Sequence, residues 1–277
     1  MSQVKPIKEV IKEQYIRCAK DPAFFLKTFC MIQHPIKGKI PFDLYEFQEK
    51  TINEFENNRM NIILKARQLG ISTLTAGYSL WMMTFHQDKN ILVIATKQDT
   101  SKNLVTKDRV MHANLPTWLK QTAIEDNKLS LRYSNGSQIK ATSAAGDAGR
   151  SEALSLLVFD EAAFIDKIED IWVSAQSTLS TGGSAVILST PNGVGNFFHK
   201  TWVGAEEEEN GFNTIRLHWS VHPERDQTWR DEQEKLLGPK GAAQECDCDF
   251  VSSGDTVIDP QLLMSVSYTH LTLPTKA

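Results

Sequence analysis

The chain has 277 residues, 41% hydrophobic and 23% charged, enough for one large domain or two small ones with a proper core. That balance excludes a wholly disordered chain, and the net charge of −4 excludes a global attraction to nucleic acid, so any contact with DNA must be local or transient. No run approaches the ~20 apolar residues of a membrane helix and the start lacks a signal-peptide core, so a soluble intracellular protein without a membrane partner is expected.

Residues 4 to 19 place Val4, Ile7, Ile11 and Tyr15 on one face, an amphipathic helix. Asp21 and Pro22 then restart a helix as cap and first turn, giving a helical N-terminal segment over residues 1–40 that ends in Lys37-Gly38-Lys39 and Pro41. Just downstream, Phe47 and Gln48 set an aromatic ring beside an amide. Such a pair suits adenine, which offers a face to cover and a donor–acceptor edge to read, and it suits a plain helix start equally well.

The stretch from Asn61 to Thr75 reads as strand, loop and helix: the apolar Ile62, Ile63 and Leu64, a polar turn, then Ser72 and Thr73 opening a helix. A loop so placed aims the free N–H groups of a helix start at an anion, phosphate above all. Against the pattern G-x-x-x-x-G-K-[ST], only Gly70 and Ser72 match. Lys65 stands at the first glycine and Ile71 at the lysine, so the missing cation must come from Lys65 or Arg67 at the loop entrance. An ordinary buried strand turning into a helix would look similar.

Asn90–Ala95 is a second buried strand, followed by a helix over Asp99–Asn114. Leu129–Tyr133, the Asn135-Gly136 turn and Gln138–Thr142 form a hairpin. A Gly- and Ala-rich loop ending in Arg150 leads into Leu154–Phe159, an apolar strand that ends in the adjacent carboxylates Asp160 and Glu161. A helix over Lys167–Leu179 precedes the strand Ser184–Thr190, and Pro191-Asn192-Gly193 follows. Further on come a strand over Phe212–Trp219 and helices over Asp226–Leu237 and Gly241–Phe250. This alternation argues a parallel, doubly wound α/β sheet whose ligand sits at the carboxyl ends of its strands, where all three candidate motifs lie. The last thirteen residues, Ser265–Ala277, show no periodicity and read as the translation of an adapter, and residues 256–277 are set apart from the fold as linker and tail.

Hydrolysis of a nucleoside triphosphate needs a metal on the β and γ phosphates, a cation on the developing charge and a group that deprotonates water. Asp160 with the Ser72 hydroxyl is suited to hold Mg²⁺, and Glu161 to activate water. Each carboxylate taken singly would also suit a structural ion pair.

Together, Phe47-Gln48, Lys65–Thr73, Leu156–Glu161 and Ser189–Gly193 resemble the ATPase half of the large terminase subunit of tailed bacteriophages, over roughly residues 40 to 255. The resemblance implies a P-loop NTPase of the ASCE/RecA-like type over 41–255, with a mostly parallel central sheet flanked by helices and a small lid subdomain near 200–255. It implies an ATP- and Mg²⁺-dependent motor that translocates double-stranded viral DNA. Implied partners are the portal protein and the small terminase subunit, with the chain a monomer in isolation and a homo-oligomeric ring on the portal, in the host cytoplasm. By the same likeness, Phe47 and Gln48 contact adenine, and Lys65, Arg67, Gln68, Leu69, Gly70, Ile71, Ser72 and Thr73 form the phosphate loop. Asp160 is the metal ligand with Ser72, Glu161 the catalytic carboxylate, Ser189 and Thr190 the coupling motif, and Arg150 a candidate arginine finger. Ile71 departs from the usual loop lysine, Ser151 stands where glycine is common after the finger, and the family's nuclease half is not expected here. Two other readings stay open: a nucleotide-binding switch or structural subunit with little hydrolysis, motivated by Ile71, and a helicase-like translocase.

Overall fold

A computed structural model describes residues 6–143 and 153–250. In chain order, α1 (Ile7–Lys20) and α2 (Pro22–Phe29) are followed by a hairpin of β1 (Met31–His34) and β2 (Gly38–Pro41). Then come α3 (Glu46–Asn57), β3 (Met60–Lys65), α4 (Ile71–Phe85), β4 (Asn90–Ala95) and α5 (Gln98–Asn114). Strands β5 (Ala123–Asp126), β6 (Ser130–Tyr133), β7 (Gln138–Ser143) and β8 (Leu156–Asp160) lead to α6 (Ile168–Leu179) and β9 (Ser184–Ser189). The described chain closes with α7 (Phe197–Glu206), β10 (Asn213–Leu217) and α8 (Gln227–Glu245).

Eight strands form one sheet in the order β10-β3-β9-β8-β4-β7-β6-β5. From β10 to β7 every neighbouring pair is parallel, and β6 and β5 add antiparallel pairs at one edge. Strands covered on both faces must be apolar at every position rather than at alternate ones. Ile62 to Leu64, Leu156 to Phe159 and Ala185 to Leu188 are accordingly all buried. The fold is that of a P-loop NTPase, with β9 inserted between the loop strand β3 and the carboxylate strand β8.

α4 runs beneath the sheet almost wholly buried. A Cβ at Gly77 would lie 2.7 Å from Leu26 Cδ2, so glycine there permits the close approach of α2. α2 is capped by Asp21, whose carboxylate accepts from Phe24 N at 2.8 Å. The Trp81 indole donates to the Cys18 carbonyl at 2.8 Å, fastening α1 to α4.

Several elements differ from the sequence expectation. Residues 31–41 form a hairpin rather than ending a helical segment, because Gly38, at φ 71°, closes the turn and β1 packs against α5. β5 has no apolar face to announce it: all four of its residues are exposed, and only pairing with β6 makes it a strand. α7 fills a stretch read as connection, with Asn196 capping its start and Phe198 and Trp202 buried. The strand expected over Phe212–Trp219 is shorter, since a 3-10 turn over Trp219–Val221 follows β10. α8 is broken at Gly238 (φ 74°, ψ 166°) and Pro239, so two helical parts stand where two helices are expected, but the second ends at Glu245 rather than Phe250.

Candidate active site

The carboxyl ends of β3, β9 and β8 lie side by side and bring the expected motifs together. After Lys65 the chain turns through Gln68 (φ 59°) and Gly70 (φ 73°), both left-handed, into α4. Gly70 is required on two counts. Its backbone conformation disfavours a side chain, and a Cβ there would lie 2.8 Å from Gln48 Nε2.

Across β9, the Ser72 hydroxyl donates to Asp160 Oδ1 at 3.1 Å. Asp160 is buried, and that burial pushes its carboxyl above the ordinary range, against the opposing pull of Lys65, Lys107 and the Ser72 bond. A buried carboxylate at the end of β8 and a hydroxyl from the first turn of α4 are hard oxygen ligands of the kind Mg²⁺ takes. The residues present therefore fit that ion. Glu161 adopts a left-handed backbone, φ 57° and ψ 46°, unusual for a non-glycine residue and typical of functional turns. The turn leaves its carboxylate one-third exposed and accepting a bond from Lys65 Nζ at 3.1 Å.

The two candidate loop cations therefore part company. Lys65 is 5% exposed and its ammonium lies against Glu161. Arg67 has a 68% exposed side chain 3.4 Å from Glu245 of α8, while its backbone N–H donates to the Glu245 carbonyl at 2.7 Å. Ile71 is buried and points into the core rather than toward the loop. Lys107 of α5, within a helix expected from the sequence, adds a second ammonium whose charge acts on Asp160; burial lowers its own pKa. Its relation to the site depends on packing of α5 and has no local sequence signal.

Gln48 is buried and both ends of its amide are engaged: Oε1 accepts from Tyr45 N at 3.1 Å and Nε2 donates to the Leu69 carbonyl at 2.9 Å. Phe47 stacks on Tyr45 with centroids 5.7 Å apart and faces a groove between α3 and β10. A cavity of about 660 Å³ opens beside the loop, lined by Leu69, Gly70 and Thr73 on one side and Tyr45, His222 and the β1–β2 hairpin on the other. Phe42 and Tyr45 are aromatic residues of its wall, with the Tyr45 ring 4.6 Å from that of His222. Of the expected aromatic–amide pair, Gln48 lines this cavity and Phe47 faces the neighbouring groove.

Ser189 is fully buried, and its hydroxyl accepts from Ala163 N at 3.1 Å. The Asn192 amide donates to the Ala163 carbonyl at 3.1 Å, and Thr190 is buried beside them. The end of β9 is thereby tied to the turn that carries Glu161. Arg150 lies outside the described residues.

Residues 62–264 match the family described as terminase large subunit, T4likevirus-type, N-terminal. Among solved structures the chain is similar to the large terminase ATPase domain of Thermus phage P74-26, at 21% identity and a TM-score of 0.62, over 76% of this chain and 95% of that one. It is also similar to the large terminase of bacteriophage HK97, at 16% identity and a TM-score of 0.65, over 84% of this chain and 55% of that one. The large terminase of a thermophilic bacteriophage, solved in complex with ADP, matches at 12% identity and a TM-score of 0.59, over 74% of this chain and 52% of that one. At these identities the likeness is one of fold. This chain spans about half the length of the latter two proteins.

Proposed function

The chain belongs to the family of terminase large subunits, and from that membership we propose that it is an ATP-hydrolysing motor unit that drives double-stranded DNA into a viral procapsid. The observation that carries this reading is the convergence of Lys65, Ser72, Asp160 and Glu161 at the ends of β3 and β8, beside a loop that turns into a helix N-terminus. The loop and the α4 start bind the phosphates of ATP through backbone N–H groups and the helix dipole. Ser72 and Asp160 would hold Mg²⁺, which supplies charge neutralisation at the β and γ phosphates. Lys65 begins on Glu161 and exchanges that carboxylate for phosphate oxygen, which leaves Glu161 free to accept a proton from the attacking water. Ser189 and Asn192 position the Glu161 turn and pass its displacement along β9.

The deciding experiment is phosphate release by the purified chain with ATP and Mg²⁺, with and without DNA. Glu161→Gln should bind ADP like the parent and release no phosphate, while turnover at the parental rate would remove Glu161 from the mechanism. A nucleotide switch without hydrolysis predicts no steady release from the parent chain. DNA, the portal, the small terminase subunit and a ring of copies on the portal are the proposed partners, in the host cytoplasm, and Arg150 is the proposed finger reaching into a neighbouring copy.

A further inference from the structure

Resting on the nucleotide reading above, we infer that Arg225 is a positioning residue that, together with Gln48, holds the phosphate loop open for its ligand. The guanidinium donates from Nη1 to the Arg67 carbonyl at 3.1 Å and from Nη2 to the Gln68 carbonyl at 3.0 Å. Gln48 Nε2 donates to the next carbonyl, that of Leu69, at 2.9 Å. Three consecutive loop carbonyls are therefore held by side chains of two distant segments.

The consequence follows from peptide geometry. In a trans peptide the C=O and N–H point in opposite directions, and the described chain has no cis bond. Holding the carbonyls of Arg67 and Gln68 on the guanidinium turns the N–H groups of Gln68 and Leu69 away from it, and holding the Leu69 carbonyl on the Gln48 amide turns the Gly70 N–H away from that amide, so these N–H groups are left to meet a phosphate. Among the described residues no backbone carbonyl accepts from these three N–H groups. In an ordinary loop of this kind a first glycine and an inserted lysine help shape the backbone; here Lys65 and Ile71 stand in those places, and the outer brace takes over.

Arg225 is built for the task. Its own N–H donates to the His222 carbonyl at 3.1 Å in the turn before α8. Asp226 caps that helix through Trp229 N at 2.9 Å, which brings the Trp229 ring to 4.4 Å from the guanidinium carbon. A planar fork with parallel N–H groups matches two adjacent carbonyls, which a lysine ammonium cannot bond equally well. Because Arg225 lies between β10 and α8, displacement of the α8 start changes the loop directly. Arg225 stands in a connection between predicted elements and carries no sequence signal, since its partner carbonyls lie about 160 residues upstream.

The test uses the full chain and the variants Arg225→Gln and Arg225→Lys, with two readouts. In the nucleotide-free protein, exchange of the Arg67 amide, which donates to the Glu245 carbonyl at 2.7 Å where the braced loop begins, should accelerate roughly tenfold in Arg225→Gln, from loss of two hydrogen bonds in the loop, while exchange in α4 and the melting temperature stay parental. The Kd for ADP should rise roughly tenfold, and KM for ATP should rise more than kcat falls; Arg225→Lys should recover part of each effect. Parental loop exchange together with ADP affinity within about twofold of the parent in Arg225→Gln would overturn the inference. If Arg225→Gln fails to fold, Arg225→Lys decides by the same two readouts. A parent chain that binds no ADP would refute the nucleotide reading, and the exchange result would still judge the brace.

Discussion

Replacing Lys65 by alanine removes a nearly buried cation, 3.1 Å from the Glu161 carboxylate, at the mouth of the phosphate loop. At that distance and an effective dielectric of about 20, the gross attraction between the two charges is of order 5 kcal/mol. Desolvation of Lys65 and the one-third exposure of Glu161 offset much of it, so the effect on folding is small beside the effect on catalysis. A single preorganised donor acting on charge that develops in a water-poor site contributes ~10²–10³ in kcat. Lys65→Ala should therefore lose phosphate release by about that factor at saturating ATP, with its circular dichroism spectrum and melting temperature near those of the parent. Arg67→Ala removes an exposed side chain whose ion pair is with a partly exposed Glu245, a contact worth ~0–1 kcal/mol, and should change the rate by less than about fivefold. The assay is steady-state phosphate release by the two variants under identical conditions. An inactive Arg67→Ala beside an active Lys65→Ala would refute the assignment and hand the role to Arg67.

Ile71→Lys should not rescue Lys65→Ala: the new ammonium would enter the core, costing on the order of 3 kcal/mol from lost packing and an unpaired charge, measurable by denaturant titration. Tyr45→Leu should weaken ADP binding about fivefold, since Tyr45 lines the cavity, whereas Phe47→Leu should have less effect; calorimetry with ADP reads both. Asp108 is fully buried, with both carboxylate oxygens lacking a partner among the described residues, and burial raises its pKa well above the ordinary 3.8. Below about pH 4 both folded and unfolded forms are protonated and nothing is lost; as pH rises, only the unfolded form ionises, so stability falls until the folded group also ionises, with a slope up to ~1.4 kcal/mol per pH unit. Asp108→Asn should remove that slope and melt higher than the parent at neutral pH, and parallel pH profiles for the two proteins would contradict it. Mixing Arg150→Ala with Glu161→Gln on a portal ring should recover turnover absent from either alone, and no recovery would exclude a finger acting between copies.

The central strands were legible because a strand buried on both faces must be written as an apolar run; Ile62–Leu64, Leu156–Phe159 and Val186–Leu188 have no other comfortable place. The carboxylate pair and Ser72 were legible because strand ends in such a sheet converge, and Ser72 and Asp160 do meet. β5 was not legible, since Ala123–Asp126 is exposed on every residue and owes its form to β6. Nor were Tyr45, Lys107 and Arg225 as members of the site. Each reaches it from an element whose own pattern is explained by local needs: Tyr45 by the start of α3, Lys107 by α5, and Arg225 by the turn before α8. Gln48 stands out in the sequence as an amide beside an aromatic ring, and tertiary contact shows what that amide holds in this structure, the Tyr45 N–H and the Leu69 carbonyl.

The placement of β9 between the two halves of the site also fixes a dimension. Neighbouring strands lie about 4.8 Å apart, so β3 and β8 stand roughly 10 Å from one another, and Ser72 must lean across that gap to meet Asp160. The gap forms a trough whose floor is the end of β9, where Ser189 and Thr190 are both small and both buried. In the proposed nucleotide site, the depth left for a phosphate and its ion would then be set by these two hydroxyl side chains. A leucine at either position would raise the floor by more than a methyl group's height while leaving every residue of the loop and the carboxylate turn unaltered in sequence.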